Sequence, residues 1–170
     1  MNCNFMNEDI NLYNDLILVR HAEPVQDGNI PNSLLELTSY GMEQAKRVST
    51  FLKGKFDITI CSTSKRTIMT AQIISPKNNI LIDERLLERG WGNYAQDGSE
   101  TDEEAKVRIR KFILEIQQKY KGKRILVVTH GALMRLTQNV IERNNIIQQP
   151  VDYCTIIKYS KNKEKSIWNL

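Results

Sequence analysis

At 170 residues, with 41% of them apolar and 26% charged, the chain has the size and balance of one globular domain and is too short for two complete ones. Its net charge of +4 is modest and spread along the sequence, and no apolar run approaches the ~20 residues of a membrane-spanning helix, so neither a nucleic-acid nor a membrane partner is expected. Cys3, Cys61 and Cys154 are scattered without any C-x-x-C pair, which argues against a disulfide framework or a zinc site and leaves a reducing, cytoplasmic setting as the default.

The first fourteen residues are polar and mildly acidic, without the basic start and apolar stretch of a secretory signal. They read as a tail, 1–14, ahead of a single domain over 15–170. Leu16-Ile17-Leu18-Val19 is a continuous apolar run ending abruptly at Arg20-His21, the pattern of a strand buried on both faces of a parallel sheet. Pro24 cannot continue a helix and holds Glu23 extended, so the strand leads into a loop. Thr38 is the expected N-cap of a helix carrying Ala45, Val48 and Leu52 on one stripe. A second strand is predicted over Asp57 to Cys61, a second helix over Ser64 to Ile74, and a brief third strand over Ile80 to Ile82. Ala105, Ile109, Phe112, Ile113, Ile116 and Tyr120 follow the 3.6-residue period and predict a helix over Asp102 to Tyr120, with Thr101 and Glu104 offering a capping box. Ile125 to Thr129 reads as another buried strand ending in His130-Gly131, followed by a helix from Ala132 to Glu142. Thr155 to Tyr159 and Ser166 to Trp168 read as two closing strands around a lysine-rich, solvated turn. This alternation predicts an α/β fold, a three-layer α/β/α sandwich around a mostly parallel central sheet.

The two histidines, His21 and His130, each follow a predicted buried strand at its carboxyl end. In open α/β sheets that edge is where ligands bind. A single such histidine reads most simply as a polar residue leaving the core; two, each with a basic or glycine neighbour, favour a shared site. Arg66, near the start of the second helix, combines a guanidinium with a helix N-terminus, and Arg20 adjoins His21. Taken singly each arginine reads as a surface ion pair, but two arginines and two histidines on one edge would form an electropositive pocket suited to phosphate.

Five segments in order between residues 16 and 131 carry a resemblance to a known family. Leu16-Ile17-Leu18-Val19-Arg20-His21-Ala22-Glu23 resembles the opening R-H-G motif of the histidine phosphatase superfamily, the phosphoglycerate mutase-like proteins. Leu37-Thr38-x-x-Gly41-x-x-Gln44-Ala45 is similar to its L-T-x-x-G-x-x-Q-A helix start. Cys61-Ser62-Thr63-Ser64-Lys65-Arg66, followed by Thr70-Ala71, resembles its S-S-x-x-x-R…T-A segment. Leu86-x-Glu88-x-x-x-Gly92-x-Tyr94 resembles its acidic loop, and Val127-Val128-Thr129-His130-Gly131 its closing V-x-H-G.

The resemblance implies a phosphoglycerate mutase-like fold and a set of roles. His21 would attack phosphorus and carry a transient phosphohistidine. Arg20, Arg66 and His130 would hold the phosphoryl oxygens, with Ser62 and Gly131 as further phosphate contacts. Glu88 would protonate the leaving oxygen and then help to activate water. No metal and no cofactor is implied; the expected substrate is a small phosphorylated metabolite, with inorganic phosphate as product, and a homodimer is compatible with the sequence. The chemistry is coherent without the family name: phosphoryl transfer spreads charge over three equatorial oxygens, so positioned cations do most of the stabilising. A neutral imidazole is a good nucleophile near neutral pH, and a poor alkoxide leaving group needs a proton from an acid. Motif spacing alone selects Glu88 over its neighbours Glu84, Glu100, Glu103 and Glu104.

Departures from the family pattern bear on the reading. Ala22 stands where glycine is usual, which matters if that position requires positive φ. Asp27 stands where many relatives place asparagine and brings a negative charge towards the substrate mouth. Cys61 stands where serine is common and reads as a small buried residue. Only about twenty residues separate Glu88 from Arg108, whereas the mutases of the family carry a long insertion there, so the short loop favours hydrolysis over mutase activity. A cysteine phosphatase is the first competing reading, but Cys61 and Arg66 are separated by four residues rather than the five of C-x5-R. The others are a phosphohistidine protein phosphatase, a phosphoglycerate mutase and a phosphate-binding regulatory domain without turnover. Loops 24–36 and 89–101, where specificity is expected, carry no interpretable motif.

Overall fold

The computed structural model describes residues 10–90, 100–144, 150–161 and 164–170. Six strands form one sheet in the order β3-β2-β4-β1-β5-β6, where β1 is Asp15–Arg20, β2 Ile58–Cys61, β3 Ile80–Ile82, β4 Arg124–Thr129, β5 Ile156–Tyr159 and β6 Lys165–Trp168. The first four are mutually parallel, while β5 runs antiparallel to β1 and to β6. Four α-helices lie among the described residues: α1 Ser39–Leu52, α2 Lys65–Ile74, α3 Asp102–Lys119 and α4 Gly131–Glu142. None of the described helices is long and apolar enough to cross a membrane.

The unbroken apolar runs of β1 and β4 serve two cores at once, because successive side chains of a strand point to opposite faces. Leu16, Leu18, Ile125 and Val127 join the cluster under α3 and α4, with Ile109, Phe112, Ile113 and Leu133. Ile17, Val19, Leu126 and Val128 join the cluster under α1 and α2, with Ala45, Val48, Ala71 and Ile74. The result is the expected three-layer α/β/α sandwich.

Helix ends follow the predicted chemistry to within a residue. The Thr38 hydroxyl accepts the Gly41 N–H at 2.8 Å, and Thr101 and Glu104 form a full capping box, a device worth about 1 kcal/mol per cap. Ser64 precedes α2 but makes no capping bond. Its hydroxyl is spent elsewhere, in the site.

Of the tail expected over 1–14, residues 10–14 belong to the fold instead; 1–9 lie outside the described residues. Ile10 and Leu12 are buried in the α3/α4 core. The Gln117 side chain accepts the backbone N–H groups of Tyr13 and Asn14, and the Asn14 amide donates to the Ile116 carbonyl. The alternation of Ile10 and Leu12 was the available signal. The lysines flanking the expected solvated turn are about a third exposed and paired, Lys158 with Asp15 and Lys165 with Glu142; residues 162–163 lie outside the described residues.

Candidate active site

β1 and β4 are adjacent and in register, Arg20 opposite Thr129, so the residues that follow them leave the sheet side by side. The His21 N–H continues the ladder to the Thr129 carbonyl at 2.9 Å. The His21 and His130 rings meet edge to face with centroids 5.2 Å apart, and both are buried. β2 is the other neighbour of β4, and the Ser62 N–H bonds the Val128 carbonyl. Ser62, Ser64 and Arg66 are thereby brought to the same edge as the histidines.

The hydrogen bonds of His21 fix its tautomer. Nδ1 lies 2.8 Å from the Ala22 carbonyl, which only accepts, so Nδ1 carries the proton. Nε2 keeps its lone pair and receives the Arg66 Nε–H at 3.2 Å. Burial pushes the His21 pKa down to about 3; the Ala22 carbonyl opposes that shift, while the positive charges of Arg66 and Arg20 add to it. Burial, helped by His21 and the same arginines, likewise holds His130 well below the ordinary histidine range. Both rings are therefore neutral near pH 7, and His21 presents an unprotonated nitrogen.

A stability prediction follows with a definite sign. The unfolded chain protonates each histidine near its ordinary pKa of about 6.5, while the folded chain excludes the proton from His21 until about pH 3. More protons bound by the unfolded state means stability lost as pH falls, by about 1.4 kcal/mol per pH unit per histidine below ~6.5. Denaturant unfolding between pH 6.5 and 5 should show this loss, and His21→Gln should remove roughly half of the slope. Equal slopes in the two proteins would contradict the buried neutral imidazole.

Arg66 sits in the first turn of α2, buried, with its pKa lowered by that burial. Besides His21 it reaches the Asn32 carbonyl through Nη1 at 2.5 Å and His130 Nδ1 through Nη2 at 3.4 Å. Arg20 donates Nη1 to the Val151 carbonyl at 2.5 Å and lies 4.0 Å over the Tyr153 ring. Its Nε is buried without a hydrogen-bond partner. An orphaned cationic donor is costly unless something fills it, and an anion beside His21 would do so. Gly131 opens α4 against this guanidinium, where a methyl group would stand 3.4 Å from Arg20 Nε. The first N–H groups of a helix add a partial positive charge there.

Ser62, expected as a direct phosphate contact, is completely buried. Its hydroxyl and that of Ser64 lie 3.1 and 3.2 Å from His130 Nε2, so in this structure both serines orient the ring. Glu88 reaches the same end of the sheet from the other side: its Oε1 accepts the N–H of Leu133 in the first turn of α4 at 3.2 Å, and its charge is felt at Arg66.

The turn after His21 is held by the side chains of the motif around Thr38. The Glu23 N–H bonds Gln44 Oε1, and the Glu23 carbonyl accepts the Thr38 N–H, while Thr38 Oγ1 donates to the Glu23 carboxylate. The Thr70 hydroxyl accepts the Ala22 N–H. Ala22 is not among the residues with positive φ, so glycine is not required there. Asp27 is exposed and closes its own turn onto Asn29. Gly92 and Tyr94, of the acidic-loop motif, lie outside the described residues.

A family model for the histidine phosphatase superfamily (branch 1) matches residues 16–106 and 93–166. The chain belongs to the histidine phosphatase superfamily. Two solved structures show the shared fold. A phosphoserine phosphatase from Entamoeba histolytica, in complex with 3-phosphoglyceric acid, is 19% identical, with a TM-score of 0.69 over 92% of this chain and 95% of that one. A mycobacterial glucosyl-3-phosphoglycerate phosphatase with inorganic phosphate is 17% identical, with a TM-score of 0.73 over 92% and 97%. No curated protein sequence matches the chain. Residues outside the five motifs join this candidate site too. The Asn32 carbonyl accepts from Arg66, Tyr153 packs 5.5 Å from the His21 ring, and Arg108 binds the loop of Glu88. Arg108 alone had a visible signal, a charge one position from the apolar stripe of α3.

Proposed function

We propose that the protein is a metal-independent phosphatase for small phosphate monoesters, working through a phosphohistidine on His21. The observation that carries this reading is the buried, neutral His21 with its Nε2 lone pair beside Arg66, next to an Arg20 whose Nε has no partner. A monoester dianion entering this pocket takes the N–H groups of Arg20 and Arg66, with His130 and the Gly131 end of α4 completing the cradle. His21 Nε2 attacks phosphorus as the bond to the leaving oxygen breaks, and Glu88 supplies that oxygen's proton. Water then attacks phosphorus, its proton passes to Glu88, and the N–P bond breaks to release phosphate. Positioned cations stabilise both transition states, so no step needs a metal. The phosphoserine and phosphoglycerate chemistry in the names of the structural neighbours makes small phosphorylated carboxylic acids the first substrates to try.

Cys61 is a poor rival nucleophile. Burial pushes its thiol up to about 12, and it packs in the α1/α2 core, whereas a reactive cysteine is exposed and has a depressed pKa. The test is a panel of phosphate esters assayed with a chelator present throughout. Release of phosphate unaffected by chelator is the expected result; activity restored only by added divalent metal would contradict the reading.

A further inference from the structure

Glu100 and Arg108 form a buried, two-pronged ion pair, Nε to Oε1 at 2.5 Å and Nη2 to Oε2 at 2.8 Å, with side-chain exposures of only 2% and 6%. The pair makes no contact with His21. Further hydrogen bonds of the pair go to the backbone of the segment that carries Glu88. Arg108 Nη1 donates to the Arg85 carbonyl at 2.6 Å and Nη2 reaches the Glu88 carbonyl at 3.5 Å. Glu100 Oε2 accepts the Gly90 N–H at 2.8 Å, and the Glu100 carbonyl accepts from Arg89. The segment is held from behind as well, since Thr129, the residue before His130, donates its hydroxyl to the Leu86 carbonyl at 2.7 Å.

Burying two charges is costly unless further bonds use up their donors and acceptors. Here those bonds grip residues 85, 88 and 90 at one point. Arg108 rises from the rigid α3 and Glu100 directly precedes its N-cap, so the grip refers the Glu88 backbone to a helix rather than to a loop. From the Glu88 side, Leu133 N–H fixes the carboxylate against α4. We infer that Glu100 and Arg108 are positioning residues for proton transfer, a clamp that holds Glu88 where it can serve the leaving oxygen. The inference rests on the reading of Glu88 as proton donor.

Leaving-group dependence separates this role from a merely structural one. An alkyl phosphate needs a proton on its leaving oxygen, while p-nitrophenolate leaves without one. Removing a general acid costs roughly 10²- to 10⁴-fold, and a misplacement of ~1 Å costs ~10²-fold. Three proteins are compared with wild type on an alkyl phosphate and on p-nitrophenyl phosphate: Glu88→Gln, Arg108→Lys and the double variant Glu100→Leu with Arg108→Met. The double variant replaces both buried charges by apolar groups, which commonly preserves folding; its melting temperature is measured alongside. The expected result is a kcat/KM loss of about 10²-fold on the alkyl ester and only a few-fold on the aryl ester, in the double variant as in Glu88→Gln; kcat/KM reports the phosphorylation step, whereas water attack on the phosphohistidine is common to both esters. Equal losses on both esters in folded clamp variants, with Glu88→Gln remaining selective, would overturn the clamp alone. Equal losses in Glu88→Gln itself would remove the proton-donor reading, and the clamp with it.

Discussion

His21→Ala is expected to lower kcat on every hydrolysed ester by at least ~10⁴-fold while leaving a folded protein. Loss of a covalent nucleophile commonly costs ~10⁶-fold in enzymes whose catalytic groups act as a unit, and no second group in this site is placed to substitute. His130 is the nearest candidate, with its ring 5.2 Å away. Its Nε2 is engaged by Ser62 and Ser64 and its Nδ1 lies beside Arg66 Nη2, so neither nitrogen stands clear. The variant deletes an imidazole whose burial disfavours its charged form and keeps His130, so its melting temperature below pH 6 should fall roughly half as steeply as wild type's. A residual rate within tenfold of wild type would place the nucleophile elsewhere.

Gly41→Ala is expected to have the largest effect on stability of any single methyl group added to a described glycine. A Cβ built at Gly41 would lie 2.2 Å from the Glu23 carbonyl oxygen and 3.1 Å from the Glu23 carbonyl carbon and nitrogen. That neighbour is backbone, fixed by the Gln44 and Thr38 bonds, and cannot swing aside as a side chain could. Overpacking against such a partner costs about 3 kcal/mol, or roughly 6–12 °C in melting temperature for a domain of this size. Because Glu23 is two residues from His21, the shift should also lower kcat. Gly28→Ala is the control, with nothing within 4 Å of the added carbon, and should change stability by no more than about 0.5 kcal/mol. A Gly41 variant as stable as wild type would mean that the turn after β1 is not held as rigidly as its hydrogen bonds imply.

The glycine case also shows what sequence can and cannot yield. The motif around Thr38 and Gly41 was legible as a pattern, but its physical purpose, admitting the Glu23 carbonyl and pinning the turn behind His21, arises only from how the two segments pack. β1 and β4 were legible because burial on both faces leaves an unbroken apolar run, and that pattern also located the two histidines. Their adjacency followed from the parallel register, which periodicity does not give. Ser62 was legible by motif yet lies on His130, because the direction of a short side chain depends on how deep its strand end sits. Asn32 contributes a carbonyl, which any residue could supply, and so left no trace in the sequence. Glu100 was visible only as one acid among several; its partner eight positions on becomes meaningful once α3 faces the core. Ile10 and Leu12 are buried, but their single apolar alternation is too short a signal to outweigh the polarity of the segment around them.

The most direct test of the central claim is to trap the covalent intermediate. Wild-type protein is mixed briefly with a radiolabelled phosphate monoester, quenched in alkali and mapped by peptide. A label on the peptide containing His21, stable in alkali and lost in acid, is the predicted result, and it should be absent from His21→Ala. Label on any other residue, or phosphate released in the first turnover with no labelled protein, would contradict a phosphohistidine at His21.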